Sequence, residues 1–291
     1  MPTIKAFLER HPVPTYFVLA FAISWGGVLL IIGGPGRIPG TREQFGTLFP
    51  LVYLAMLAGP SIAGILLTGL IHGRVGFREF LSRLIRWRVG GRWYAVALLT
   101  APILMTARSF AFSLASPAFL PVLFASSNKA YILVFGIVVG LGAGFFEELG
   151  WTGFAVPGLR PHHSVLTTGF IVGVLWGAWH FLVNVWASKS SSGGLSLSIF
   201  LPAILFTLLV GVLPAYRMLM VWVYDRSGSL LVVMLMHMSL TASTLVLGPL
   251  AISGVSLLTY DLVLAAALWV VVGAVAMAKG GQLSRQPLQS G

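Results

Sequence analysis

The stretch that decides the fold is Tyr131-Ile-Leu-Val-Phe-Gly-Ile-Val-Val-Gly-Leu-Gly-Ala-Gly-Phe-Phe-Glu147-Glu148-Leu-Gly-Trp-Thr-Gly-Phe154. It is long and apolar enough to cross a bilayer, yet it contains two adjacent carboxylates, Glu147 and Glu148. A charge at the centre of a spanning helix costs about 2.5–3.5 kcal/mol on insertion scales, so this pair needs polar partners within the protein. We expect a functional site, with a purely structural helix contact as the alternative.

The whole chain has the composition of a helical membrane protein. Of its 291 residues, 57% are hydrophobic and 9% are charged, which excludes an ordinary soluble domain. No series of alternating ten-residue strands predicts an outer-membrane barrel. The absence of cysteine excludes disulfides, thiol catalysis and cysteine-bound metals. Lys5 and Arg10 precede an apolar run from Val13 that lacks a cleavage pattern, so we expect this run to be retained.

Eight apolar runs predict an all-α polytopic fold of eight transmembrane helices, in a single membrane domain over residues 1–291. The predicted spans are roughly 13–34, 46–71, 93–117, 130–156, 164–186, 197–223, 229–250 and 257–278. The polar motifs described below lie within a core of about residues 140–245.

A net charge of +11 would suit nucleic acid, but the distribution of the basic residues does not. Much of the excess lies in one segment, as Arg74, Arg78, Arg83, Arg86, Arg88 and Arg92. Apolar residues recur there at helical spacing, which predicts a basic amphipathic helix over about 73–92 on an anionic membrane surface. An ordinary basic cytoplasmic loop is the alternative. We expect membrane lipids as partners and no nucleic acid.

The positive-inside rule predicts that both termini are cytoplasmic, in a multi-pass protein of the cell membrane. With that orientation the cytoplasmic side receives Lys5, Arg10, the six arginines of 74–92, Arg160, Arg217, Arg226, Lys279 and Arg285. The opposite side receives Arg37, Arg42, Lys129 and Lys189.

Two further spans carry polar residues that lipid would not tolerate cheaply. The fifth contains Trp176-Gly-Ala-Trp-His180, with Asn184 one turn later, and the seventh contains His237-Met-Ser-Leu-Thr241. Residues four apart share one helix face, so each span can present its polar groups together. Two histidines and two carboxylates on three spans can therefore converge on one hydrated cavity.

These residue types suggest activation of water. A buried carboxylate can act as general base toward water, assisted by a histidine, while a second histidine and a hydroxyl donate hydrogen bonds to an oxyanion. Zinc held by Glu147, His180 and His237 is the alternative, because these are suitable ligands. The chain has no His-Glu-x-x-His helix and no two histidines at ligand spacing on one span, so we expect no metal or other cofactor.

Three ordered motifs resemble those of the CPBP intramembrane proteases, which include CAAX prenyl endopeptidases and the bacterial Abi proteins. The family's Glu-Glu motif with its following arginine aligns with Glu147-Glu148-Leu-Gly-Trp-Thr152. The Phe-x-x-x-His motif aligns with Trp176–His180, and the last motif, a histidine followed four residues later by asparagine or another residue, aligns with His237–Thr241. The context is similar to that of bacterial members.

The resemblance implies a role for each aligned residue. Glu147 would be the general base, assisted by His180, and His237 with Thr241 would stabilise the oxyanion. Glu148 would support the site, and the cavity would open toward the cytosol. We interpret Trp151, Trp176 and Asn184 as substrate-binding residues, although Asn184 could also cap a helix end.

The chain departs from the family motifs at three positions. Thr152 stands where arginine is expected, which removes a cation that could hold Glu147 or Glu148 ionised. Trp176 replaces phenylalanine, a change that we expect to alter mainly packing, and Thr241 offers a hydroxyl in place of an amide. One hypothesis for a compensation is an ion pair between Arg108 and Glu148; alternatively, the third span ends before Arg108.

The sequence thus predicts an intramembrane endopeptidase of the CAAX protease type, which hydrolyses a peptide bond near the cytoplasmic face. Its expected substrate is a peptide or a protein C-terminal tail. The first alternative is a non-catalytic relative, such as a bacteriocin-immunity or scaffolding protein. The second is a transporter in which the carboxylates relay protons or bind a cation.

Overall fold

A computed structural model describes residues 4–250 and 252–278. Those residues form fifteen α-helices and no β-strand, apart from an isolated bridge between Pro121 and Pro249. The first eight helices are α1 Ile4–Arg10, α2 Pro12–Ile32, α3 Arg42–Leu67, α4 Gly73–Leu84, α5 Gly91–Ser113, α6 Val122–Ala125, α7 Lys129–Gly142 and α8 Glu148–Gly150. The others are α9 Val156–Leu159, α10 Val165–Trp179, α11 Phe181–Ser191, α12 Leu197–Phe206, α13 Leu213–Ser227, α14 Leu230–Leu247 and α15 Gly254–Ala278.

Seven helical segments of the described residues are long and apolar enough to cross a bilayer, and the bent pair of α10 and α11 raises the number to eight. The all-α polytopic fold is therefore confirmed. Several segments join two or more helices through π-helical turns, which are Thr68–His72, Ala143–Glu147, Trp151–Ala155 and Thr207–Val212. The orientation in the membrane stays a prediction, and two residues counted for it, Lys279 and Arg285, lie outside the described residues.

The predicted fifth span is not one straight helix, because α10 and α11 meet at His180 with a bend of 55°. The carbonyl of Trp176 accepts both the backbone N–H and the ring Nδ1 of His180. A side chain that enters the ladder of helical hydrogen bonds is a recognised cause of a kink. The bend places the histidine ring at the break.

The predicted amphipathic helix over 73–92 is shorter than expected. It begins at Gly73, where φ is +55°, but it ends at Leu84. The next carbonyls serve other partners, since Arg86 accepts the Ser229 hydroxyl and Trp87 accepts the Tyr94 hydroxyl. The chain therefore leaves the helix and runs into α5.

Two glycine stripes bring helix backbones into contact around the later motifs. On α7 and the π turn after it, Cβ atoms at Gly140 and Gly144 would collide with backbone oxygens of α14. On α10, Cβ atoms at Gly169 and Gly173 would collide with the backbone of α13. Small residues allow this close approach between membrane helices. The first stripe sets Glu147 and Glu148 beside α14, and the second sets Trp176 beside α13.

Candidate active site

The two glutamates lie in an irregular part of their span. The π turns Ala143–Glu147 and Trp151–Ala155 flank the short helix α8, so the helix is widened on both sides of Glu148. Such π turns are frequent at functional sites. The side chains of both glutamates are buried, but they contact different groups.

Glu147 is held by two indole groups and faces a cavity. Its Oε2 accepts hydrogen bonds from Nε1 of Trp176 at 2.8 Å and from Nε1 of Trp151 at 3.3 Å. Nε2 of His237 lies 3.9 Å from the same oxygen, beyond hydrogen-bond length. Within the described residues Oε1 of Glu147 accepts no hydrogen bond, so this oxygen is available to another molecule.

Glu148 lies behind the cavity wall, in a fully buried ion pair with Arg217 of α13. One guanidinium nitrogen, Nη1, donates to both carboxylate oxygens at 2.8 Å. Oε1 also accepts a 2.7 Å hydrogen bond from Nδ1 of His237, and Oε2 accepts the hydroxyl of Thr152. Glu148 thereby joins three helical segments through one carboxylate.

This arrangement corrects three sequence-based predictions. Arg108 does not pair with Glu148, because its Nη1 bonds Asp261 at 3.2 Å and the carbonyl of Tyr260 at 3.1 Å. The third span does not end before Arg108 either, since α5 continues to Ser113 and buries that side chain. The charge distribution assigns Arg217 to the cytoplasmic surface, but it is buried completely against Glu148.

Both motif histidines have Nδ1 fixed by an acceptor. Nδ1 of His180 lies 2.9 Å from the carbonyl of Trp176, which can only accept, so Nδ1 carries a proton. Nδ1 of His237 donates to Glu148 in the same way. In the neutral form of each ring Nε2 is then the unprotonated nitrogen, which can accept a proton from a bound molecule.

Glu147, His180 and His237 line one cavity of about 490 Å³. Thr241, Trp176 and Asn184 line it too, whereas Glu148 and Trp151 do not. The convergence of the three motifs, which the helix spacing alone could not establish, is therefore present in the structure.

The predicted substrate-binding residues fall into two groups. Trp176 and Asn184 line the cavity, and Asn184 also donates from Nδ2 to the carbonyl of His180 at 2.8 Å, at the bend of the span. Trp151 is fully buried behind Glu147, where its ring packs against Tyr16 and Trp179. Its side chain is placed to hold the carboxylate, and we propose that role for it in place of substrate binding.

The cavity extends toward one end of the bundle. Its lining includes Phe45 near the start of α3, Trp186 in the middle of α11 and Asp261 in the first half of α15. The basic helix α4 lies at the opposite end, where α3 finishes. The cytosolic opening implied by the family resemblance and the orientation predicted by the basic residues are therefore incompatible in this structure.

No group of three or more metal-binding side chains is arranged to hold an ion among the described residues. The two histidines and Glu147 share a cavity, but the Oε2 atom of Glu147 is already engaged by two indoles. A metal-independent site stays a prediction that a chelator can test.

Comparisons with known proteins agree with the motif resemblance. Residues 128–243 match the family model described as Type II CAAX prenyl endopeptidase Rce1-like. A CAAX prenyl protease 2 from Methanococcus maripaludis is 24% identical over 182 residues. The alignment covers 57% of this chain and 60% of the relative, so the chain spans less than two thirds of that protein. The matched segment contains all three motifs and most of the predicted core, and the CPBP/CAAX resemblance is thereby confirmed. A bacterial source stays a prediction.

Proposed function

We propose that this chain, which belongs to the CPBP/CAAX family through residues 128–243, is an intramembrane endopeptidase that hydrolyses a peptide bond with a glutamate-activated water. The observation that carries the proposal is the shared cavity of Glu147, His180 and His237. The cavity is lined by Glu147 as the proposed base, His180 as a hydrogen-bond acceptor and His237 as the proposed oxyanion donor. Family membership alone, at 24% identity to a curated protease, supports a protease without specifying its reaction.

Glu147 is suited to act as the base because its two oxygens have different environments. Oε2 is anchored by Trp176 and Trp151, whereas Oε1 has no partner among the described residues. A water molecule bound to Oε1 would be held while the carboxylate stays fixed. His180 lines the same cavity, and its Nε2 would provide a second acceptor for that water. Two acceptors can orient one water, since each accepts a hydrogen bond from one of its two O–H groups.

His237 and Thr241 are suited to stabilise the oxyanion. They lie one helical turn apart on α14 and both line the cavity. In its doubly protonated form His237 presents an N–H at Nε2, and the Thr241 hydroxyl is a second donor. Donors fixed in place before the reaction act strongly in a site that excludes bulk water.

The reaction balances with these groups alone. Water attacks the peptide carbonyl, Glu147 takes its proton, and the negative charge moves to the carbonyl oxygen beside His237. The tetrahedral intermediate collapses as the C–N bond breaks, and the proton on Glu147 passes to the leaving amine. The products are a carboxylic acid and an amine. We propose that the peptide enters at the end of the bundle lined by Phe45, Trp186 and Asp261.

Thr152 and Thr241 favour the alternative of a non-catalytic relative when the motifs are considered alone. Arg217 provides the cation that Thr152 lacks, and the Thr152 hydroxyl itself bonds Glu148. Thr241 still has a hydroxyl at the cavity wall. The two departures are thus compatible with catalysis, so the peptidase is the better supported function.

The test is peptide hydrolysis by protein purified in detergent or reconstituted in liposomes. Glu147→Gln keeps the shape of the side chain and removes the base, so turnover should fall about 100- to 10,000-fold. Glu79→Gln, on the exposed side of α4, is the matched control and should cleave as the unaltered protein does. Equal turnover by all three proteins would overturn the proposal. A chelator should leave activity unchanged, and a loss that zinc restores would support the metal-dependent alternative.

A further inference from the structure

We infer that Arg217 is a positioning residue, which takes the place of the arginine missing from the Glu-Glu motif and orients both glutamates for catalysis. This inference rests on the proposed function for its kinetic consequence, while its structural part can be tested without activity. The motif position is occupied by Thr152, and the cation comes instead from a different helix, α13.

Arg217 and Glu148 form a buried ion pair in which each charge is compensated by the other. Both side chains are fully buried, and Nη1 of the arginine donates to both carboxylate oxygens at 2.8 Å. An uncompensated charge at this depth would be strongly unfavourable, so each residue requires the other. The Gly169 and Gly173 stripe, which lets α10 approach α13, holds this part of α13 close to the motif-bearing helices.

Arg217 acts on His237 through their shared carboxylate. Oε1 of Glu148 accepts from Nη1 of Arg217 and from Nδ1 of His237. The position of Glu148 therefore fixes a proton on Nδ1 of His237 and sets the direction in which Nε2 points. Loss of the partner that orients a metal-bound histidine typically lowers activity about 10- to 100-fold, and we expect a loss of similar size for the metal-free His237.

Arg217 also reaches Glu147, through Trp176. Its guanidinium carbon lies 4.3 Å from the centre of the Trp176 ring, and two of its nitrogens, Nε and Nη2, form no hydrogen bond within the described residues. The indole thus receives the guanidinium on its face and donates from its edge to Glu147 at 2.8 Å. Arg217 therefore contacts Glu148 directly and contacts Glu147 through Trp176.

The space around Glu148 has room for one cation, from either position 152 or position 217. Thr152, in the π turn Trp151–Ala155, and Arg217, in α13, both donate to Oε2 of Glu148. A longer side chain at position 152 would extend toward the space that the Arg217 guanidinium fills. The two positions are therefore alternatives for one cation, and occupation of both by arginine would bury an excess positive charge.

The experiment is a swap of the two residues. Thr152→Arg and Arg217→Met are each expected to lower the unfolding temperature, while Thr152→Arg combined with Arg217→Met recovers most of it. This cycle does not depend on turnover. In the active protein, Arg217→Met should reduce kcat about 10- to 100-fold with little change in KM, and the combined variant should recover most of that loss.

Two further measurements separate positioning from simple stabilisation. The ¹⁵N resonances of the His237 ring report which of its two nitrogens are protonated, and they should change in Arg217→Met and return in the combined variant. Arg160→Met is the matched control, because Arg160 pairs with Asp225 between two helical segments away from the cavity. It should leave kcat and the His237 resonances unchanged.

The outcomes distinguish this inference from the proposed function. A combined variant as unstable as Arg217→Met would overturn the relocation. Unchanged His237 resonances in a folded Arg217→Met variant would overturn the positioning role. If the unaltered protein cleaves no peptide while the stability cycle and the resonances behave as stated, the proposed function fails and the relocated cation stands.

Discussion

Nε1 of Trp176 lies 2.8 Å from Oε2 of Glu147, so the residue that replaces the family's phenylalanine contacts the proposed general base directly. The motif alignment alone suggests that this exchange changes mainly packing. A phenyl ring has no donor, whereas the indole supplies a hydrogen bond to the carboxylate from the same motif position. The departure from the motif therefore adds a polar support to the site.

Replacement of Trp176 by phenylalanine tests this support. The Trp176→Phe variant keeps an aromatic ring over Arg217 but loses the bond to Glu147. Hydrogen bonds to charged groups contribute about 1.5–3 kcal/mol, so we expect kcat to fall about 10- to 100-fold. Steady-state cleavage of a test peptide measures the change. Trp269→Phe is the control, because its indole bonds the Val210 carbonyl on an exposed surface. Equal rates for the two variants would show that the bond to Glu147 contributes nothing.

The hydroxyl of Thr241 is the next group to test. Thr241→Val has nearly the same shape and removes the second oxyanion donor, so kcat should fall about tenfold or more. Thr241→Asn restores the family's amide and should keep or raise activity. Thr244→Val is the control, since Thr244 lines the same cavity but its hydroxyl bonds the carbonyl of Leu240 in its own helix. A similar loss in both valine variants would assign the effect to cavity polarity.

The sequence is sufficient to predict the spans and most of the residues of the site. Apolar run length determines which segments can cross a bilayer, and the ordered motifs identify the side chains that line the cavity. Periodicity cannot show which helices pack together. The sequence therefore leaves Arg108 as a candidate partner of Glu148, although the ion pair of Arg108 is with Asp261. The charge distribution in turn assigns Arg217 to the surface, although it is buried against Glu148. A positively charged residue within a predicted span is the signal that could have identified Arg217 as the partner.

The backbone conformation around the motifs could not be predicted from the sequence either. The spacing of apolar residues predicts neither the π turns around Glu148 nor the bend at His180. A continuous helix from 164 to 186 leaves His180 far deeper than the other motif residues. The bend and the close helix contacts, which no single-helix pattern contains, bring its ring to the shared cavity.

The contact between α14 and the π turn Ala143–Glu147 gives a prediction about stability. A Cβ atom at Gly144 would collide with the carbonyl of Met234, and backbone cannot move aside as a flexible side chain can. We expect Gly144→Ala to destabilise the protein by about 1–3 kcal/mol and to reduce activity by moving Glu147 away from His237. Thermal unfolding in detergent measures the first effect. Gly273→Ala on α15 is the control, because a Cβ atom there would have open space within 4 Å, and it should not destabilise. Equal unfolding temperatures for the two variants would contradict the close packing.

The direction in which the cavity faces the membrane can be measured because the chain contains no cysteine. Ser190, near the end of α11, and Ser82, on the basic helix α4, are exposed residues at opposite ends of the bundle. The positive-inside rule predicts that α4 lies in the cytoplasm. We therefore expect a membrane-impermeant maleimide to label Ser190→Cys in intact cells and to label Ser82→Cys only after lysis. The unaltered protein, which has no thiol, is the control. With that result, peptides would reach Glu147 from the non-cytoplasmic side. The reverse pattern would contradict the positive-inside orientation and give the cavity the cytosolic opening that the family resemblance implies.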